Sequence, residues 1–508
     1  MYKLTFLFLF ATIACFSQSK QDYVWLFGKD YTPSLDDLGY IFDFNNGILD
    51  IKEYNVGVGM GDNNVSISNT DGELLFYSNG CNVYNKEGVI MENGDSLNYD
   101  VFIEIFMAGD CTLLYNGSQD IMILPFPEEH DKYYIIHKPF IFNGINLPDS
   151  LPIHYSVVNM NTTDELGIVE EKGELVLEDD RLVSYLTAIN HTNGTDWWIV
   201  QPMRDDSLFT IFYIDENGIT RQPDQSTGVY LDSYRASSSG TAKFSSDGTK
   251  YAFFNYYDQL NIYDFDRSTG ILSNHQKIDI IENPNVDEIW FSSVEWSPNS
   301  RFLYTASGLQ LHQVDLWEEN IQENGIRLID TYDGTLDPFP TTFFLMAQAP
   351  DCKIYMCPSS GTTAYHVIKN PDELGTACNF VQNGIELPQR SNFGSMPNFP
   401  RFRVDEEDKC DPTLTSVFGD AVYYRRDLTV YPSPSDGRYT VEMPDGFGSG
   451  TLSVLNLDGQ VVETKEVGHG TLSVAVDITR YPSGYYHVEL YPEENVERVF
   501  WSMQVIKK

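Results

Sequence analysis

One short arrangement recurs along this chain: alternating residues, a tight turn, then an aromatic-rich run. It reads VSISNTDGELLFYS from Val65, TAINHTNGTDWWIV from Thr187, AKFSSDGTKYAFF from Ala242, VEWSPNSRFLYTA from Val294 and AQAPDCKIYMCP from Ala347. A copy with a longer turn, ILPFPEEHDKYYIIH, starts at Ile123. Asp-Gly and Asn-Gly between two strand patterns mark hairpins, because both turn residues must tolerate positive φ. A second hairpin tends to follow, as in CNVYNKEGVIM from Cys81, LFTIFYIDENGIT from Leu208 and LNIYDFDRSTGIL from Leu260. Two hairpins per repeat build a four-stranded antiparallel sheet, and turns returning every fifty to sixty-five residues or so approach the period of propeller blades.

Six such units are visible between about residues 60 and 390. The ends supply a seventh. MPNFPRFRV, from Met396, has no partner downstream, whereas YVWLFG (from Tyr23) and LGYIFDFNNGILDIK (from Leu38) have none upstream. Pairing them in one blade closes the ring and removes exposed sheet edges. The expected fold is all-β: a β-propeller of about seven blades, with six or eight allowed by the same spacing, followed by a small C-terminal β-sandwich. An aromatic content of 14%, with 32 Tyr and 31 Phe, agrees with this.

The first residues, MYKLTFLFLFATIACFSQ, carry one cation, Lys3, then an apolar stretch and small residues. This predicts a secretory signal peptide over residues 1–17, cleaved after Ser17 and too short to span a bilayer comfortably. Ala14-Cys15 offers a lipoprotein box as a rival, but Thr12 stands where a bulky aliphatic residue belongs. No later stretch offers a transmembrane segment in the mature chain. The net charge of −42 repels phosphate backbones and anionic lipid, so nucleic acid is excluded as a partner. Beyond Cys15, the cysteines are Cys81, Cys111, Cys352, Cys357, Cys378 and Cys410, whose pairing the sequence leaves open. Cys352 with Cys357 is disfavoured, because five residues of strand separate them by roughly 16 Å.

Chemistry is hard to find. There is no G-x-S-x-G elbow, no H-E-x-x-H and no P-loop, and no Cys/His spacing suggests zinc. His130 and His137 bracket a strand pattern roughly 20 Å long and cannot share a metal within it. Ser237, Ser238 and Ser239 lack an identifiable base. FSSDGTKY resembles the sialidase box S-x-D-x-G-x-T-W, but its spacing is wrong and it reads as a hairpin turn. No cofactor is required. Calcium has hard oxygen ligands on offer at Asp264 and Asp266, or at Asp36 and Asp37, although solvated acidic turns explain these better. Trp197 and Trp198 alternate across a strand, one inward and the other toward a neighbouring blade.

The C-terminal pieces LTVYPSPSDGRYTV (from Leu428), LSVLNLDGQVV (from Leu452), VDITRYPSGYYHVEL (from Val476) and VFWSMQVIKK resemble the type A C-terminal sorting domain of the Bacteroidetes type IX secretion system. Its motif maps onto Tyr431, Pro432, Pro434, Gly437, Asp458, Gly459, Pro482, Gly484 and Tyr485, with Ser433 where the family usually has Asn. His487 falls on a strand of this domain. The resemblance implies delivery across the outer membrane by the type IX machinery, to the medium or the cell surface. The preceding region is similar to exported Bacteroidetes propellers of WD-repeat-like or lactonase-like type. The residues carrying this are VSISNTDGELLFYSNGCNVYNKEGVIMENG, IHYSVVNMN, AINHTNGTDWWIV and YHVIKNPDELGTACNFVQNGIELPQRSNFGSMPNF. Here Cys352 departs from a turn position often held by Gly. The expected organisation is residues 1–17 signal peptide, 18–405 propeller, 406–427 linker and 428–508 sorting domain. The expected function is binding of polysaccharide or protein outside the cell. A propeller hydrolase or lyase, or a structural or gliding-associated surface component, are the alternatives.

Overall fold

A computed structural model describes residues 19–28, 39–45, 49–113, 115, 117–139, 152–204, 206–227, 240–281, 291–406, 410, 423–444, 447–456, 461–492 and 499–508. The signal-peptide expectation, Cys15, Asp36, Asp37, Ser237 to Ser239, Asp458 and Gly459 fall outside them.

The repeats fold as blades of a seven-bladed propeller. Blade 1 holds Val24–Phe27, Tyr40–Asp43 and Asp50–Glu53, and blade 2 holds Val65–Ser68, Leu74–Ser78 and Val83–Asn85. Blade 3 runs Ile121–Pro125, Lys132–His137, Ile153–Asn159 and Ile168–Leu177. Blade 4 contains Ala188–Asn190, Trp197–Pro202, Leu208–Asp215 and Gly218–Arg221, and blade 5 contains Gly240–Phe244, Lys250–Asn255, Gln259–Asp266 and Ile271–Ile278. Blade 6 is Ser293–Trp296, Phe302–Ala306, Gln310–Asp315 and Ile326–Thr331; blade 7 is Phe343–Gln348, Ile354–Pro358, Ala364–Ile368 and Phe380–Glu386. Each recurring motif supplies the first two strands of a blade, joined by its turn. FSSDGTKY is such a hairpin, with Gly248 at φ +70°.

The inner strands of blades 5, 6 and 7 run side by side in one direction. Val294 N donates to Thr241 Oγ1 (2.9 Å) and Gln348 N to Glu295 Oε2 (3.2 Å). The inner strands of these blades thus start at one end of the ring, the entry end, where the loops between blades gather. The tight first-to-second-strand turns lie at the opposite, exit end.

Closure departs from the expectation. Strand Val24–Phe27 runs against the inner strand of blade 2, with Asn64 Nδ2 donating to Leu26 O (2.7 Å) and Ser66 Oγ to Val24 O (2.8 Å). Met396–Val404 forms no ladder with it; its single bridge, Arg401 with Ile189, lies across the channel in blade 4. The reason is chemical: Pro397 and Pro400 remove two of the donors a ladder needs. Aromatic packing joins blade 1 to blade 7 instead. Trp25 lies 5.9 Å from Tyr355 and Phe27 lies 5.6 Å from Tyr365, both edge-on.

The C-terminal domain is a β-sandwich. One sheet contains Tyr423–Asp427, Val499–Lys507, Gly484–Pro492, Gly450–Asn456 and Val461–Val467; the other contains Val430–Tyr431, Arg438–Glu442 and Ser473–Asp477. Between them lies an apolar core including Tyr439, Leu452, Tyr486 and Val488. The stretch 406–427, expected as linker, contains the strand Tyr423–Asp427, which pairs in parallel with Asp50–Glu53 of blade 1 and with Val499–Lys507.

Candidate functional site

The centre of the ring is filled by its own chain. After blade 7 the backbone enters the channel, and Asn398 ties it to three blades. Asn398 N donates to Asn64 O (2.9 Å), and its amide nitrogen donates to Ile121 O (3.0 Å) and Leu186 O (3.1 Å). Arg401 then spans the lower channel, donating to Phe244 O (2.9 Å), to Gln348 Oε1 (2.9 Å) and to the carboxylate of Glu295. Arg403 pairs with Asp22, its Nη2 lying 2.8 Å from Oδ2. At the exit end Arg267 grips Asp405 with two bonds of 2.7 Å, and Ser19 N donates to Glu406 Oε1 (2.9 Å).

Charges of both signs are buried along this path. Burial pushes the Asp62 carboxyl up to about 8, with the neighbouring Asp120 adding to the rise. The same desolvation raises Asp120 and lowers Lys138, and each opposes the other's shift. Burial lowers Lys243 to about 8 against the pull of Glu295. Lys138 Nζ donates to Val183 O (2.7 Å) and Gln201 Oε1 (2.6 Å), while Asp120 Oδ2 accepts from Ser184 Oγ (3.0 Å). The cavity beside Lys243, Glu295 and Arg401 is about 40 Å³. That accommodates a few water molecules and excludes a sugar ring.

The residues singled out from sequence do not converge. Asp264 accepts from Lys250 (2.5 Å) and Asn274 (2.7 Å), and Asp266 caps its own turn through Ser268 (2.6 Å). Among the described residues no group of three or more His, Cys, Asp or Glu is placed to hold a metal ion. His137 is buried between Asn98 Oδ1 (2.6 Å) and Ser156 Oγ (3.1 Å). Trp197 and Trp198 are both buried, their indoles donating to Pro125 O (3.0 Å) and Arg267 O (2.7 Å) of the blades on either side. Cys81 bonds Cys111 and Cys352 bonds Cys410, while Cys357 and Cys378 are buried thiols.

The entry end carries the elaborated loops. Between blades 2 and 3 the chain makes an excursion containing the helix Val101–Phe106. This excursion is pinned by Cys81–Cys111 and by Asn79, which donates to Cys111 O (2.9 Å) and Leu113 O (3.1 Å). A small apolar cluster of Cys81, Ile103, Met107 and Tyr115 lies beneath it. Among the described residues two aromatics stand exposed at this end: Tyr99 at 47% and Phe339 at 49%, the latter with Arg390 5.8 Å from its ring. Trp317, 71% exposed and backed by Arg301 at 4.5 Å, belongs to the exit end. Sequence reasoning missed Tyr99 and Phe339 because neither sits in a repeated element.

In the C-terminal domain the Y-P-S-P turn clasps the end of the chain. Both of its X-Pro bonds, Tyr431-Pro432 and Ser433-Pro434, are cis. Ser433 Oγ accepts from Ile506 N (3.0 Å), and Ser435 O accepts from Lys508 N (2.8 Å). Tyr431 donates to Glu442 Oε1 (3.0 Å), Gly437 adopts φ +101°, and Pro482 O accepts from Tyr486 (2.7 Å). Gly484, at φ +153°, opens the strand that carries the exposed Tyr485 and the half-buried His487. Residues 429–500 match the secretion system C-terminal sorting domain family. The last domain is a secretion sorting domain. The protein is type IX secretion cargo with a β-propeller fold, and the sorting domain directs it to the cell surface or outside.

Among solved structures, the Pseudomonas aeruginosa periplasmic gluconolactonase PpgL is 12% identical, with a TM-score of 0.41 over 73% of this chain and 98% of its own. A Lactobacillus plantarum protein is 11% identical, with a TM-score of 0.39 over 73% and 98%. PorZ, a surface component of the Porphyromonas gingivalis type IX system, is 10% identical, with a TM-score of 0.30 over 92% of this chain and 56% of its own. No curated protein sequence matches the chain. At these identities none of the structures bears on what this protein binds. Among the described residues no helix is long and apolar enough to cross a membrane.

Proposed function

We propose that the protein is a binding module for extracellular polysaccharide, with its ligand face at the entry end of the ring. The observation behind this is the filled channel, which leaves the loop-bearing end as the surface where a scaffold of this type varies its contacts. Pinned loops and exposed rings suit sugar stacking, since an aromatic face packs on a pyranose while its surroundings stay wet. In this reading residues 1–17 address the chain to the inner membrane, 18–405 form the working unit, and 428–508 are the delivery label. Intact mass of protein collected from medium or cell surface tests the delivery; finding it only full-length in the periplasm defeats that part.

The binding test is retention of the secreted protein on a panel of insoluble polysaccharides, with and without calcium, assayed together with release of soluble products. Retention without products is expected, weakened at least tenfold by Tyr99→Ala or Phe339→Ala and unchanged by Trp317→Ala. Product release would replace binding with hydrolysis or lysis. Dependence on Trp317 alone would move the site to the exit end. Retention on immobilised proteins but on no glycan would make the ligand a protein.

A further inference from the structure

Cys352 occupies a turn slot that three other blades give to glycine and blade 6 gives to Ser300, at φ +59°. The first-to-second-strand turns of blades 2, 4 and 5 hold Gly72, Gly194 and Gly248 at φ +90°, +84° and +70°. In blade 7 the same position is Cys352 at φ +62°. A side chain in the left-handed region costs free energy that glycine avoids, and such outliers persist where something else fixes them. The turn itself holds this conformation, as it does at Ser300 in blade 6, and at Cys352 it directs the side chain to Cys410, with Cα atoms 5.1 Å apart. Cys410 lies just beyond Glu406, where the closing segment leaves the channel. The disulfide therefore ties the exit of that segment to blade 7, at the junction with blade 1 where no strand ladder closes the ring. Both of its cysteines are half-buried, as is Cys111 of the other disulfide, so a reductant can reach the closing bond.

We propose that the Cys352–Cys410 disulfide is a redox latch on the propeller: oxidised, it keeps the closing segment seated in the channel; reduced, it lets the segment withdraw and blade 1 part from blade 7. Reduction by a dithiol transfers two electrons and two protons, breaks the one S–S bond, leaves two thiols and converts the dithiol to its cyclic disulfide. The ring is then fully closed only in an oxidising compartment, which an exported chain reaches after leaving the cytoplasm.

The test uses the full folded chain and amide hydrogen exchange. The probes are Asn398 N and Arg401 N, bonded to Asn64 O and Ala188 O at 2.9 and 3.4 Å. Dithiothreitol treatment of wild type, or the Cys352→Ser/Cys410→Ser double variant, is expected to speed exchange at both amides at least tenfold and to open residues 391–406 to protease. Amides of the blade 5 hairpin stay protected. The Cys81→Ser/Cys111→Ser variant serves as control and leaves the two probes unchanged. Unchanged exchange after the Cys352–Cys410 bond is broken overturns the latch. So does loss of protection throughout the chain together, which would make the bond a general stabiliser. If the double variant fails to fold, reduction of the folded wild type decides alone.

Discussion

Glu295 and Arg401 are separated by 106 positions, yet they form one ion pair in the lower channel, with Glu295 buried and Arg401 half-buried. Removing one partner strands the other charge, so Glu295→Gln is expected to cost about 3–5 kcal/mol in urea denaturation. Asp62 acts through its proton. Its carboxyl is raised from an ordinary value of about 4 to about 8, so the folded state keeps a proton that the unfolded chain releases. That contribution to stability is complete below about pH 4 and is lost as pH rises through about 8. Asp62→Asn is neutral throughout, so its stability curve lacks this decline. The variant is expected to exceed wild type by more than about 1 kcal/mol at pH 8, read from denaturation at pH 5 and pH 8. Neither residue stood out in the sequence. Each is an ordinary acid in or just before an inner strand, and its neighbours arrive from another blade or from the closing segment.

Hairpins were the most legible elements. Asp71-Gly72, Asn193-Gly194 and Asp247-Gly248 declare their turns locally, because the φ they require selects the residue type. The closing segment was misread for an equally local reason. The alternation in MPNFPRFRV suggests a strand, while Pro397 and Pro400 forbid the ladder and leave the side chains to make the contacts. The entry-end loops have no period at all, so nothing in the sequence marks Tyr99 or Phe339 as neighbours of one surface. A packing test belongs at this scale. Gly270 has φ +71°, and a Cβ there would lie 2.7 Å from the Trp198 ring, where blade 5 meets blade 4. Gly270→Ala is expected to lose about 1–3 kcal/mol in thermal or urea unfolding. Trp25→Ala, at the junction of blades 1 and 7, is expected to lose about 3–5 kcal/mol.

At the scale of the molecule, a net charge of −42 governs which ligands approach. Retention on a neutral polysaccharide is expected to vary less than twofold between about 10 and 300 mM salt. On an acidic one, retention rises with salt as screening shortens the repulsion. Deleting residues 429–508 is expected to leave the protein inside the outer membrane, measured by immunoblot of medium, surface and periplasm. The hydrogen bond from Ser19 to Glu406 has a consequence of its own. The chain begins and finishes its ring on one side, and the pinned loops crown the other. A tether at Ser19 therefore holds the disc like a plate on a stalk, with its decorated side turned away from the anchor. Neighbours anchored in the same layer would all lie the same way up, sharing one continuous outward surface.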